Sequence, residues 1–270
     1  MPVTQRQLAA FADDHQYTIP INTSPRYWAG PGDARHITHA LLAAGWTNHS
    51  DPAAPAVHLT SPDHHLDLRL DPAASTCWRL TGEPPEGPRW YASFGHMVPA
   101  EILAGLTDAL IAPAPEDVPD LWHVLAAADW RCTRHDDGTG HAVSPDQHVR
   151  LEHHKRADAW SAEVAREFGP PVWSAWLQDT TPAHLLSGFA TALADPKPLQ
   201  RRSHDRCGHY MAVQEPSGLT EEHFVKAHMS RLKAVRAQAR AALRTRHAAP
   251  PQAQHRTIPA LPPAVTTRSR

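Results

Sequence analysis

Cysteine is scarce in this chain: Cys77, Cys132 and Cys207 are the only three among 270 residues. An odd number without CxxC spacing excludes a disulfide framework and fits a reducing compartment. Long apolar runs are missing too. No stretch approaches the roughly 18 apolar residues of a membrane span, and the opening Met1-Pro2-Val3-Thr4-Gln5-Arg6 has no apolar signal-peptide core. The expected location is cytoplasmic, with no membrane contact. The GxSxG elbow, the phosphate-binding P-loop and the dinucleotide glycine pattern are also lacking, so the common nucleophile, nucleotide and cofactor signatures are excluded and no cofactor is implied.

Positive charge is sparse in most of the chain. Residues 1–196 carry 12 Lys and Arg against 24 Asp and Glu, leaving 14 against 4 of the totals of 26 and 28 for residues 197–270. An acidic body is joined to a basic C-terminal part.

What the chain does have is an internal duplication. Ser61-Pro62-Asp63 returns as Ser144-Pro145-Asp146, and the same shift aligns Trp90 with Trp173, Pro99 with Pro182, Leu103 with Leu186, Gly105 with Gly188 and Leu110 with Leu193. In each copy the triplet reads as a hairpin turn, with proline supplying φ at the second position and Ser and Asp bonding the backbone. Leu66, Leu68 and Leu70 then alternate with polar residues, as in a strand with one buried face, and residues 148–152 repeat the pattern. Strands are expected around 46–49, 57–60, 65–71, 77–80 and 89–94, then around 130–134, 141–143, 148–154, 159–166 and 171–177. Helices are expected at 4–14, at 33–44 with Asp33 as cap and Gly45 as stop, at 119–129, and after Pro99 and Pro182, the last capped by Thr181. Gly105 and Gly188 would let these closing helices approach the sheet.

The fold class is therefore α+β: two tandem units of helix, antiparallel meander and helix, followed by a long basic helix. Residues 1–30 form an N-terminal helix and arm, 31–115 and 116–198 the two units, 199–218 a loop-like linker, 219–247 the basic amphipathic helix and 248–270 a Pro-, Ala- and Arg-rich disordered tail. Val225, Met229, Leu232, Val235 and Leu243 would form the apolar seam of the basic helix.

The paired Ser-Pro-Asp turns, Gly32-Asp33-Ala34-Arg35-His36-Ile37-Thr38-His39, the helix end at Ala43-Ala44-Gly45-Trp46 and Trp90-Tyr91-Ala92-Ser93-Phe94 resemble the SPDY domain family, a domain of unknown function of streptomycete and related actinobacterial proteins. The resemblance spans about Ser24 to Pro196. It implies an actinobacterial, cytosolic protein and brings no catalytic residues. The fourth motif position is His64 in one copy and Gln147 in the other, so a role resting on a tyrosine at that position is weakened.

Four patterns bear on function. The 21 histidines include His204-Asp205-Arg206-Cys207-Gly208-His209, which offers at most three ligands where a structural zinc site wants four. Asp136-Asp137 and Asp67 with Asp71 are paired carboxylates in loop or polar-face positions, where a solvated surface is the simpler account. Trp46, Trp78, Trp90, Trp130, Trp160 and Trp173 fall on or beside strands and read as core. Lys226, Arg231, Lys233, Arg236, Arg240, Arg244 and Arg246 could follow a phosphate backbone, while the same helix could instead dock on the acidic body or pair with another chain. The reading adopted is a non-enzymatic binding or scaffolding protein that contacts a protein partner through its C-terminal helix. Its alternatives are a nucleic-acid-associated protein and, last, a metal-dependent hydrolase.

Overall fold

A computed structural model describes residues 3–51 and 53–248, with side chains described to residue 244. The expected disordered tail, 248–270, lies almost wholly outside these residues. Helix α1 (Gln5–His15) leads into strand β1 (Pro20–Ser24). The first repeat is α2 (Arg35–Ala43), β2 (Thr47–Asn48), β3 (Val57–Thr60), β4 (Leu66–Leu70), β5 (Trp78–Gly82), β6 (Trp90–Phe94) and α3 (Ala100–Ile111). The second is α4 (Leu121–Ala127), β7 (Arg131–Arg134), β8 (Gly140–Val143), β9 (Val149–His154), β10 (Ala159–Val164), β11 (Trp173–Gln178) and α5 (Ala183–Ala194). Strands β12 (Leu199–Arg202) and β13 (Val213–Pro216) and helix α6 (Glu221–Ala248) complete the α+β chain. Among the described residues no helix is long and apolar enough to cross a membrane.

The two meanders merge. All ten repeat strands form one antiparallel sheet in the order β2-β3-β4-β5-β6-β11-β10-β9-β8-β7, joined at its centre by Ala92 opposite Leu177, Ser93 opposite Trp176 and Phe94 opposite Ala175. Alternation explains how one face is buried. Leu68, Leu80, Ala92, Ala175, Ala162 and Leu151 lie within 3% of full burial under the helices, whereas Asp67, Arg69, Arg79 and Tyr91 take the opposite face. Trp46, Trp78, Trp90, Trp130 and Trp173 belong to the continuous core, and Trp160 packs partly buried against it.

Helices α3 and α5 cross over the middle of the sheet. A Cβ on Gly105 would lie 2.4 Å from the Gly188 carbonyl oxygen, and the reverse distance is the same. These glycines serve contact between the two helices rather than approach to the sheet. Pro99 and Pro182 stand one residue earlier than expected, at the N-cap positions, and the Thr181 hydroxyl makes no capping bond and has no hydrogen-bond partner among the described residues. Ala34 rather than Asp33 is the N-cap of α2; the Asp33 carboxylate nevertheless accepts from the Arg35 backbone N–H at 2.8 Å.

The stretch 199–218, expected as a linker, is ordered: β12 and β13 flank β1 in a separate three-stranded antiparallel sheet. Its anchor is Arg201, 2% exposed, whose guanidinium holds both oxygens of Glu101 on α3 and the carbonyls of Ala29 and Gly30. Burial pushes the Glu101 carboxyl up, but Arg201 outweighs it and keeps the group below the usual range.

Helix α6 lies against α1, α2 and α3. Its inward line is His228, Leu232 and Val235, all at most 5% exposed, with Val225 and Ala239 partly buried beside it. Met229 and Leu243 are 44% and 50% exposed, so the expected seam keeps Val225, shifts from Met229 to His228 and weakens at its end.

Candidate functional site

Each Ser-Pro-Asp turn closes in the same way. His64 N–H donates to the Ser61 carbonyl at 3.0 Å and Gln147 N–H to the Ser144 carbonyl at 2.9 Å, which makes four-residue turns. The serine hydroxyl donates to the aspartate carboxylate at 2.6 Å in both copies, and accepts the N–H of Leu66 or Val149 at 3.0 Å. The fourth motif residue adopts positive φ, 61° at His64 and 67° at Gln147. Both side chains are exposed, and no hydrogen bond of the turn uses them, so the turn closes alike with His64 or Gln147.

Beside each turn stands a helix end. Gly45 and Asp129, both at positive φ, terminate α2 and α4, with Trp46 N–H donating to Leu41 and Trp130 N–H to Leu125 across a Schellman-type end. The last turns of α3 and α5 supply Leu110 and Leu193. Turn, tryptophan and helix end thus form one notch per repeat.

A segment from outside the repeat occupies each notch. In the second, the arm Ser24 to Tyr27, entered through a cis Ser24–Pro25 bond, lies along the turn, and the Tyr27 hydroxyl donates to Asp146. Trp173 Nε1 donates to the Tyr27 carbonyl at 2.8 Å, and Arg26 pairs with Asp195 at 2.8 Å. In the first, Ala239, Ala242 and Leu243 of α6 face Ser61, Pro62 and Asp63. Space remains beside both segments, about 410 Å³ in the second notch and about 250 Å³ in the first. Tyr27 therefore brings a phenol to the second motif from 119 residues away. The arm is expected from the sequence, but its docking place is not, because its target is distant in the chain.

The other charged groups at this junction are spoken for. Arg231 makes two hydrogen bonds of 2.7 Å to the Asp108 carboxylate and so ties α6 to α3. Next to it, His228 Nε2 lies 3.1 Å from His39 Nδ1, with Phe11 stacked on His228 at 3.9 Å. Burial pushes both imidazoles down, His39 to about 4 and His228 to about 3, aided by Arg35 in both and by His39 and His36 at His228. This pair was missed: the two residues lie 189 positions apart, and although His39 closes the Gly32–His39 stretch, His228 belongs to no motif.

The seven basic positions of α6 divide. Lys226, Lys233, Arg240 and Arg244 are exposed, Lys226 bonding Glu222 at 2.9 Å. Arg231 is held by Asp108, and Arg236 is half-buried with its Nε lacking a hydrogen-bond partner among the described residues. The side chain of Arg246 lies outside those described. As for metals, no group of three or more His, Cys, Asp or Glu among the described residues could hold an ion. His209 stacks on Trp28 instead, and burial pushes the Cys207 thiol up. Asp137 caps Thr139 in an exposed turn, and Asp67 pairs with His58 and Arg69.

Residues 60–116 and 143–199 both match the SPDY family model, a domain of unknown function (DUF317). No curated protein and no solved structure matches the chain significantly. Each matched segment begins at the strand or turn bearing the Ser-Pro-Asp triplet and ends just after the closing helix, so the turn and the last turn of α3 or α5 fall inside it, while Trp46 or Trp130 and the α2 or α4 helix end precede it.

Proposed function

We propose that this chain, an SPDY-family protein carrying two tandem copies of the domain, is a non-enzymatic, cytoplasmic binding protein whose Ser-Pro-Asp notches are sockets for chain segments. The observation that carries this reading is the repetition of occupancy: the same notch is built twice and each receives a segment foreign to its repeat. The occupant that exchanges is the end of α6 in the first notch. It is the looser of the two, since Leu243 is half exposed and the contact consists of two alanines three residues apart and one leucine. A partner fitting there is a short basic helix with small residues at that spacing, complementary to the acidic body. Binding exchanges one helix for another, with no bond made or broken.

The test uses the full chain. Ala239→Glu puts a carboxylate into the notch beside Asp63 and lifts the helix end. A fluorescent peptide with the sequence of residues 236–248 is expected to bind this variant with 1:1 stoichiometry and to bind wild type at least about tenfold more weakly, because the resident helix competes. Equal or undetectable binding to both proteins, with the variant folded by circular dichroism, overturns the reading.

A second reading rests on a specific placement. Lys226, Lys233 and Arg240 recur every seven residues and form an outward line that Arg244 continues. Such a line suits a phosphate backbone. Fluorescence anisotropy with duplex DNA should then weaken steeply with salt, and Lys233→Glu with Arg240→Glu should abolish it; no salt-dependent binding by wild type removes this reading.

A further inference from the structure

The uncovered face of the sheet is not uniform. On the first repeat, β4 and β5 place Arg69 directly opposite Arg79, and Thr81 lies opposite both Asp67 on β4 and Tyr91 on β6. Like charges facing each other across neighbouring strands destabilise a sheet. The two arginines line a shallow cavity of about 390 Å³ together with Thr81, Tyr91 and His65.

The acids of this cavity are already engaged. Asp67 takes His58 and, at 3.1 Å, Arg69; Glu83 pairs with Arg89 at 3.1 Å. The donors are not: among the described residues the Arg79 guanidinium, the Tyr91 hydroxyl and the His65 ring have no hydrogen-bond or ion-pair partner. The second repeat offers an internal comparison. The row Leu68, Leu80, Ala92 corresponds to Leu151, Ala162, Ala175, so Arg69 corresponds to Glu152, Arg79 to Ser161, Thr81 to Glu163 and Tyr91 to Ser174. The fold does not require this cluster, because its twin keeps only the histidine, His148 at the place of His65, and lacks both arginines, the threonine and the phenol.

We propose that the dish on the first repeat binds a small phosphate monoester. Two guanidinium groups on adjacent strands, a phenol and an imidazole supply donors from several directions to one tetrahedral dianion, and guanidinium forks suit phosphate geometry. The cavity has room for the phosphate and a small organic group. A polymer is disfavoured, since a polyanion running along the face would meet Glu152 and Glu163 on the second repeat.

Isothermal titration of the full chain in phosphate-free buffer tests this, with inorganic phosphate, ribose 5-phosphate and a twelve-nucleotide single strand as probes. Ribose 5-phosphate is expected to saturate one site. Arg79→Ala should weaken it roughly tenfold or more, while Arg150→Ala, on the same face of the second repeat, leaves it unchanged. In the absence of phosphate, Arg79→Ala should melt no lower than wild type, because it removes a like-charge contact; a structural arginine would lower the melting temperature. Three results overturn the proposal: no saturable heat with either small phosphate, undiminished affinity in Arg79→Ala, or a single strand binding more tightly than ribose 5-phosphate with loss on Arg150→Ala.

Discussion

At the scale of single residues, the His39–His228 pair couples the docking of α6 to pH. In the unfolded chain both imidazoles protonate near 6.5, whereas in the folded chain burial holds them neutral down to about 4 and about 3. Around them, Arg35 opposes protonation of both, His39 and His36 oppose that of His228, and Asp33 favours protonation without offsetting burial. Folded values below unfolded ones mean that the unfolded state binds protons first as pH falls. Stability is therefore full above pH 6.5 and declines from there towards pH 4 and below, at about 1.4 kcal/mol per pKa unit for each group. Urea midpoints measured from pH 7.5 to 4.5 should fall steeply in wild type and less steeply in His228→Gln; parallel profiles would contradict the assignment. Tyr27→Phe is the simpler case. It removes the donor to Asp146, whose other oxygen keeps Ser144, and should cost about 1–2 kcal/mol in denaturant unfolding. Read along the chain, the 21 histidines offered only the short cluster from His204 to His209, because sequence shows residue types and hides which two rings will meet.

At the scale of elements, the apolar period carried most of the information. The five strands of each repeat and the closing helices follow from alternation and from stripes such as Leu103, Leu106 and Leu110, and they stand where that pattern puts them to within one or two residues. Strands β12 and β13 had no such signal. Arg201 buries a charge on the inner side of β12, and every residue of β13 is exposed, so neither strand shows an apolar face. The α6 seam was misplaced at its second position for a related reason: the inward position belongs to His228, a polar letter, and the apolar Met229 next to it faces solvent. The glycine pair was visible as a repeat, while its role depended on the crossing of α3 and α5. Gly105→Ala forces a methyl to within 2.4 Å of a backbone oxygen, which cannot turn aside as a side chain would. The helices must separate, with an expected loss of about 1–3 kcal/mol from overpacking. The same substitution at Gly188 should cost about as much, and a urea midpoint unchanged by either would show that the contact has slack.

At the scale of the whole molecule, duplication announced two units and the structure joins them into one. The join between β6 and β11 has three facing residue pairs, reinforced by Gly95 N–H donating to the Ser174 carbonyl at 2.8 Å, and nothing in the spacing of either strand marks it as the central seam. A single cluster of buried side chains then runs from Trp46 through Phe94 and Phe189 to Trp130. Two repeats sharing a core cannot melt separately, since unfolding one exposes the α3 or α5 face and the central edge of the other. Calorimetry should accordingly show one transition in which calorimetric and van't Hoff enthalpies agree. Residues 31–115 alone would end in β6 as an open edge and α3 as an uncovered helix, and the matching partner for both is a second copy placed as the second repeat is placed here. Sedimentation of that fragment should therefore give a dimer or larger species whenever it is folded. A folded monomer would mean that the repeat is self-sufficient and that the continuous sheet adds little to its stability.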